Sequence, residues 1–246
     1  MQRFFLLLVM SKKPSISHLK LPFHFDEQKL VHDLNLIYQM PWAPIHYKQN
    51  YNGEWHSLAL YAPDGDAANS FTDNFEGDLK PTKAIEKCLY FKEVIKQFKS
   101  KLLSVRLLRL MPGAEIKPHT DHKLGYEDNN FRIHIPITTN NDILFVLGNK
   151  ELRMLPGECW YTNVNFTHSV INKGKTDRVH LVIDLDRNDW SDKLFFSLAP
   201  KEEFGISDTS YPKEMLIQMI SELERSNEPM AKELIKDYKK QLESIS

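Results

Sequence analysis

The 246-residue chain is poor in cysteine, in unbalanced charge and in long apolar stretches, and each shortage excludes a class. Two cysteines, Cys88 and Cys159, are too few for a disulfide framework. The N-terminal apolar run Phe4–Met10, followed at once by Ser11-Lys12-Lys13, is far short of the ~20 residues a bilayer-spanning helix needs. It also lacks the small-residue cleavage site of a secretory signal. Lys and Arg number 32 against 33 Asp and Glu, a net charge of −1. That balance gives no field to attract nucleic acid or an anionic membrane. Repeats, low-complexity runs and charge blocks are missing too, which leaves no solenoid or charged tail to consider. The expectation is a cytoplasmic protein with no nucleic-acid or membrane partner.

What is present is an ordinary globular composition, 41% hydrophobic, enough for one sizeable core. Residues 1–20 are expected to be a leader outside the fold, with Met10 as an alternative start. Leu30, Val31, Leu34 and Ile37 recur at helical spacing over Glu27–Tyr38, with Asp26 at the N-cap. Ile45–Tyr61 reads as two strands joined by an Asn52-Gly53 hairpin. Pro63–Pro81 is a long loop rich in Asp, Asn, Gly and Pro, suited to a lid. Lys83–Lys99 returns to helical spacing.

From Leu102 the texture becomes short strands punctuated by Pro112-Gly113, Asn140-Asn141, Gly148-Asn149, Pro156-Gly157 and Lys173-Gly174. The strands expected are Leu102–Met111, Glu115–Asp121, Phe131–Ile137, Ile143–Leu147, Glu151–Leu155, Glu158–Asn163, Thr167–Ile171 and Arg178–Leu185. This pattern predicts a mainly β domain over residues 21–200, a double-stranded β-helix of the jelly-roll or cupin type with flanking helices. Residues 201–246 read as a C-terminal helical hairpin packed on that core, with dimerisation as the other use of its apolar stripes. The chain is expected to be a monomer or a homodimer.

The chemistry concentrates in four places. His119-Thr-Asp121 follows a strand, a Pro-Gly turn and Pro118, and period-two alternation puts both side chains on one face. His168 comes 49 residues later, one circuit of a jelly roll. Two imidazoles and one carboxylate on one face are the usual cage for non-heme Fe(II), leaving open positions. A second His-x-Asp, His24-x-Asp26, is explained by the helix cap. Arg178 opens a mostly apolar strand. If that strand is covered on both faces, the inward guanidinium needs a partner, and a small dicarboxylate would supply one. The bland reading is a strand-end Arg reaching solvent or Asp177. Arg132 and His134 share a face opposite Phe131, Ile133 and Ile135, and line either a pocket or a wet outer face.

Met111-Pro-Gly-Ala-Glu-Ile-Lys-Pro-His119-Thr-Asp121, Arg132-x-His134, and His168 with Arg178 ten residues later resemble the aspartyl/asparaginyl β-hydroxylase family, which includes bacterial proline hydroxylases. The likeness spans Val105–Asp186. It implies an Fe(II)- and 2-oxoglutarate-dependent dioxygenase that uses O2. It implies His119, Asp121 and His168 as iron ligands, Arg178 as partner of the distal 2-oxoglutarate carboxylate, and His134 with Arg132 as assistants there. The animal aspartyl/asparaginyl enzyme lacks the carboxylate found here at Asp121, so the resemblance leans toward the bacterial amino-acid hydroxylases. The expected substrate is an amino acid or peptidyl amino acid of Asp, Asn or Pro type, a small molecule or a peptide. Trp55 and Arg109 are candidate substrate contacts, with a core Trp and a paired strand charge as their plain alternatives. Two other readings stay open: a non-catalytic cupin-like module binding a small ligand, and a cupin metalloenzyme that does not use 2-oxoglutarate.

Overall fold

The computed structural model describes residues 14–69, 75, 77–121, 123–206, 211–225 and 229–244. A first compact unit ends at Ile206 and a second starts at Ser207. The first unit opens with β1 (His18–His24) and α1 (Glu27–Ile37), then β2 (Ala43–Pro44), β3 (Tyr51–Asn52), β4 (Trp55–Ala62) and β5 (Lys80–Pro81). Two short helices follow, α2 (Lys83–Glu86) and α3 (Leu89–Ile95). The β-rich stretch comprises β6 (Leu102–Leu110), β7 (Glu115–His119), β8 (Asn130–Thr138), β9 (Ile143–Leu147), β10 (Lys150–Glu151), β11 (Glu158–Thr162), β12 (His168–Asn172) and β13 (Arg178–Asp186), and α4 (Asp189–Phe196) follows it. In the second unit α5 (Lys213–Leu223) pairs with α6 (Pro229–Ser244), tied by a Lys239–Glu224 ion pair at 3.0 Å. No helix of the described residues is long and apolar enough to cross a membrane.

The strands form two antiparallel sheets, the jelly-roll core that the strand spacing predicts. The larger runs β1-β11-β8-β13-β6-β4-β2, with β5 beside β4; the smaller runs β10-β9-β12-β7-β3. Alternation gives the larger sheet two unlike faces. Val105, Leu107, Ile133, Ile135, Leu181 and Ile183 pack outward against Leu30, Leu34, Phe91 and Phe195 of the helices. Fully burying each such side chain stabilises the fold by about 1.5–3 kcal/mol. The inner face meets the smaller sheet, where Leu110, Ile116, Phe145, Leu147 and Val170 form a second apolar cluster. Both faces of β13 are therefore covered, and Arg178, His180, Val182 and Asp184 point inward, all buried.

Several local expectations are corrected. The chain does not wait for residue 21 to join the fold, because His18–His24 pairs with β11 as an edge strand. Asn52-Gly53 does not close a hairpin. Tyr51-Asn52 pairs with β7 in the smaller sheet, whereas Trp55–Ala62 pairs with β6 in the larger. Gly53, at φ +75°, makes that crossing, and an added Cβ would lie 2.9 Å from Ala114 Cα. The helix expected over Lys83–Lys99 is two, because the buried carboxylate of Asp33 in α1 accepts from Phe91 N (2.8 Å) and starts α3 afresh. Of the expected strand Glu151–Leu155 only Glu151 is strand, following Lys150 in β10; beyond Leu152 N, which donates to Phe145 O, the chain leaves the sheet. The cap at Asp26 is as expected, accepting from Lys29 N at 3.1 Å. Residues 1–13 of the leader and residues 70–74 and 76 of the expected lid lie outside the described residues.

Candidate metal centre

His119 ends β7 and His168 begins β12, and the two are direct cross-strand partners. The pairing slips between His168↔His119 and Val170↔Ile116, so one extra residue bulges from β7 at Lys117-Pro118. Pro118 has no N–H to give the ladder, which suits it to the bulge. The extra residue changes the parity of β7: Ile116 packs between the sheets while His119, three positions on, also turns to the centre. Asp121 lies just beyond the strand, held by its N–H to Val164 O (2.9 Å). Ligand atoms of His119, Asp121 and His168 lie within 4.8 Å of one another, a spacing that fits a single metal ion. Each imidazole has Nδ1 on a nearby carbonyl, His119 to Lys117 O (2.8 Å) and His168 to Phe166 O (3.1 Å), which leaves Nε2 available to a metal. Burial, reinforced by His119, pushes His168 down to about 4, so its ring is neutral and able to ligate near neutrality.

Behind the triad lies a buried charge network. Arg132 donates through Nε and Nη2 to Asp184 (2.6 and 3.0 Å), and through Nη1 to Asp121 Oδ2 (2.6 Å). Burial alone would raise Asp121, but Arg132 and the triad histidines hold its carboxyl below the usual range. Arg106 reaches Asp184 Oδ2 at 3.3 Å and donates to Ser104 Oγ. Arg132, expected beside a cosubstrate carboxylate, thus has its donors committed to two protein carboxylates.

Arg178 is in the opposite condition. It is 3% exposed, its Nη2 meets His180 Nδ1 at 3.1 Å, and its guanidinium lies 5.6 Å from the Phe145 ring. No carboxylate among the described residues pairs with it, and burial pulls it down to about 9. It remains cationic at neutral pH and desolvated, with no carboxylate partner among the described residues, a costly state for a buried charge. The cavity it faces, about 510 Å³, is also lined by His180, Phe145, Met154, Asn140 and Arg153, while the triad lies outside those walls. His134 links the two regions. Its ring lies 5.6 Å from that of His180, its Nδ1 is buried without a partner, and burial, then Arg178, Arg132 and His168, hold it neutral.

Trp55 and Arg109 part company. Trp55 is half-buried against the inner apolar cluster, edge-on to Tyr51 at 5.6 Å, with Nε1 buried and unpartnered. Arg109 is paired opposite Val179, a residue of the outer, helix-covered face. There it binds Asp177 at 2.5 Å and stacks over Tyr38 (4.6 Å) and Trp42 (5.7 Å), so the structure does not bring it to the triad. Sequence reasoning had not assigned roles to Arg106 and Asp184. Both are charges at inward positions of apolar strands, and parity alone carried that signal.

A family description, aspartyl/asparaginyl beta-hydroxylase, matches residues 26–188. L-proline cis-3-hydroxylase 1 from Streptomyces sp is 27% identical over 173 residues, covering 69% of this chain and 60% of that protein. L-proline cis-4-hydroxylase from Rhizobium meliloti (strain 1021) is 25% identical over 164 residues, covering 66% and 58%. The chain therefore spans about three-fifths of the length of these relatives. A solved oxidoreductase of the 2OG-Fe(II) oxygenase family from Burkholderia pseudomallei aligns over 70% of this chain and 86% of its own at 14% identity. Its TM-score is 0.46. With a match running from the cap of α1 to the cap of α4 and enclosing the triad, the chain belongs to the aspartyl/asparaginyl β-hydroxylase family.

Proposed function

We propose that this protein is an Fe(II)- and 2-oxoglutarate-dependent hydroxylase acting on an unactivated C–H bond of an amino acid or peptidyl amino acid. The observation that carries the reading is a desolvated guanidinium with no carboxylate partner among the described residues, Arg178, on the inner face of the larger sheet, together with a two-histidine, one-carboxylate triad whose histidines stand on the facing smaller sheet. Those residues suit the groups they would hold. Nitrogen and oxygen donors from three residues match iron with open positions, and the Arg178 fork matches a carboxylate. The unpartnered Nδ1 of His134 offers one more polar contact between them. Iron bound there would supply the activation of O2 coupled to decarboxylation of the 2-oxo acid.

The chain's own residues contribute placement. Arg178 anchors the cosubstrate's far carboxylate, His134 stays neutral and adds a hydrogen bond, and His119, Asp121 and His168 fix the metal. The apolar cluster around Phe145, Leu147 and Val170 keeps water from the inter-sheet space. A free amino acid is favoured as substrate by the proline hydroxylases among the relatives. A reducing cytoplasm, where Fe(II) persists, fits the two buried, unpaired thiols.

Anaerobic titration with Fe(II) and then 2-oxoglutarate tests this. A weak visible absorption band that requires both additions and disappears in His168→Ala is expected. Metal binding with no response to 2-oxoglutarate would instead favour a cupin metalloenzyme of another kind, and no metal binding would favour a plain binding module.

A further inference from the structure

We infer that Asp184, acting through Arg132, is a positioning residue that fixes which oxygen Asp121 presents to the metal and keeps the charge network that includes Asp121 electrically neutral. The inference rests on the metal-holding part of the function proposed above.

Asp184 and Arg132 are 4% and 7% exposed and stand directly opposite each other on β13 and β8. Asp184 takes one edge of the guanidinium through two nitrogens, Nε to Oδ1 at 2.6 Å and Nη2 to Oδ2 at 3.0 Å. A planar guanidinium held by such a two-point contact cannot rotate. Its remaining nitrogen, Nη1, is therefore aimed at Asp121 Oδ2, at 2.6 Å. That leaves Oδ1, 3.6 Å from His119 Nε2, as the oxygen turned toward the histidines.

The charges tell the same story. Arg132 and Arg106 are cations, and Asp121 and Asp184 are anions, with Arg106 touching Asp184 at 3.3 Å. The four sum to zero. Remove the Asp184 charge and a divalent ion must bind beside a net +1, while Arg132 loses the fork that aims it. Removing Arg106 as well restores neutrality.

Binding of Mn(II) to metal-free protein, followed by the loss of the free-ion paramagnetic resonance signal, tests this without turnover. Asp184→Asn is expected to weaken Mn(II) binding about 10–100-fold, the range for a partner of a ligand. Asp184→Asn combined with Arg106→Gln should recover part of that loss, a rescue that a merely structural role would not give. Arg106→Gln alone should bind Mn(II) more tightly than the native chain, and it keeps the test alive if Asp184→Asn fails to fold. Native affinity in Asp184→Asn, no recovery in the double variant, or unchanged binding in Arg106→Gln overturns the inference. His168→Ala separates the two proposals. If the native chain binds Mn(II) and His168→Ala does not, the centre stands whatever Asp184 does; if the native chain binds none, both proposals fall.

Discussion

At the scale of single residues the clearest contrast is between two arginines on neighbouring strands. Arg178 faces inward with no carboxylate partner among the described residues, and Arg109 faces outward onto Asp177. Arg178→Met should raise the 2-oxoglutarate requirement by about 10–100-fold, since charged hydrogen bonds contribute about 1.5–3 kcal/mol. Metal binding should persist, because Arg178 touches no triad residue in any described contact. Arg109→Met should do the reverse. It leaves Asp177 half-buried with one partner fewer, costing about 1–3 kcal/mol in urea unfolding, and leaves the 2-oxoglutarate titration unchanged. A shift in 2-oxoglutarate affinity in Arg109→Met as large as that in Arg178→Met would mean that the inner and outer faces have been exchanged. Parity along β13 made the Arg178 position legible in the sequence. What parity could not say was whether a protein carboxylate already occupied it, because the nearest candidate, Asp177, turns to Arg109 and Tyr38 instead.

At the scale of elements, the strands after Leu102 were legible because each is short, apolar and ended by Gly, Pro or Asn. The elements before it were less so. Asn52-Gly53 is a turn by composition, yet the residues on its two sides pair with different sheets. Turn chemistry specifies a reversal, but it does not specify the partner of the outgoing strand. Gly53→Ala should therefore be costly for two reasons, the positive φ and the 2.9 Å approach to Ala114 Cα. About 1–3 kcal/mol of stability should be lost in chemical denaturation. A stable Gly53→Ala protein would show that the crossing tolerates another backbone path. The break between α2 and α3 was hidden for a similar reason. Apolar spacing continues through Lys87-Cys88, and the carboxylate that caps the second helix comes from Asp33, 58 positions earlier.

At the scale of the whole molecule, the interior of the sandwich is unusually rich in neutral imidazole. Burial, then the Arg178 charge, holds His134 and His180 well below 6.5, and burial holds His168 at about 4. In the unfolded chain each would take up a proton near 6.5. Between these values the unfolded state binds more protons than the folded one. Stability is thus full above about pH 6.5 and falls as pH drops, by up to ~1.4 kcal/mol per pH unit per group. Asp121 and Asp184, both held below the usual carboxylate range, add stability that is lost only in more acid solution and do not mask this window. The urea midpoint of metal-free protein should therefore fall markedly from pH 7 to pH 5. A flat midpoint across that range would mean that the buried rings accept protons without unfolding.

The sequence by itself determined the residue types of the His119, Asp121 and His168 triad, their order and the period-two parity that turns Arg132, His134, Arg178 and His180 to one side of apolar strands. These are local properties, written in residue chemistry and in the geometry of a strand. Only the tertiary structure decided which groups meet. It set His119 opposite His168, joined Arg132 to Asp184 across 52 positions, sent Arg109 to the helix-covered face and gave Arg178 no carboxylate partner among the described residues. The physical reason is that a buried charge is settled by whichever partner the other strands bring within about 3 Å. That partner depends on sheet pairing between distant strands, which no spacing along one chain specifies.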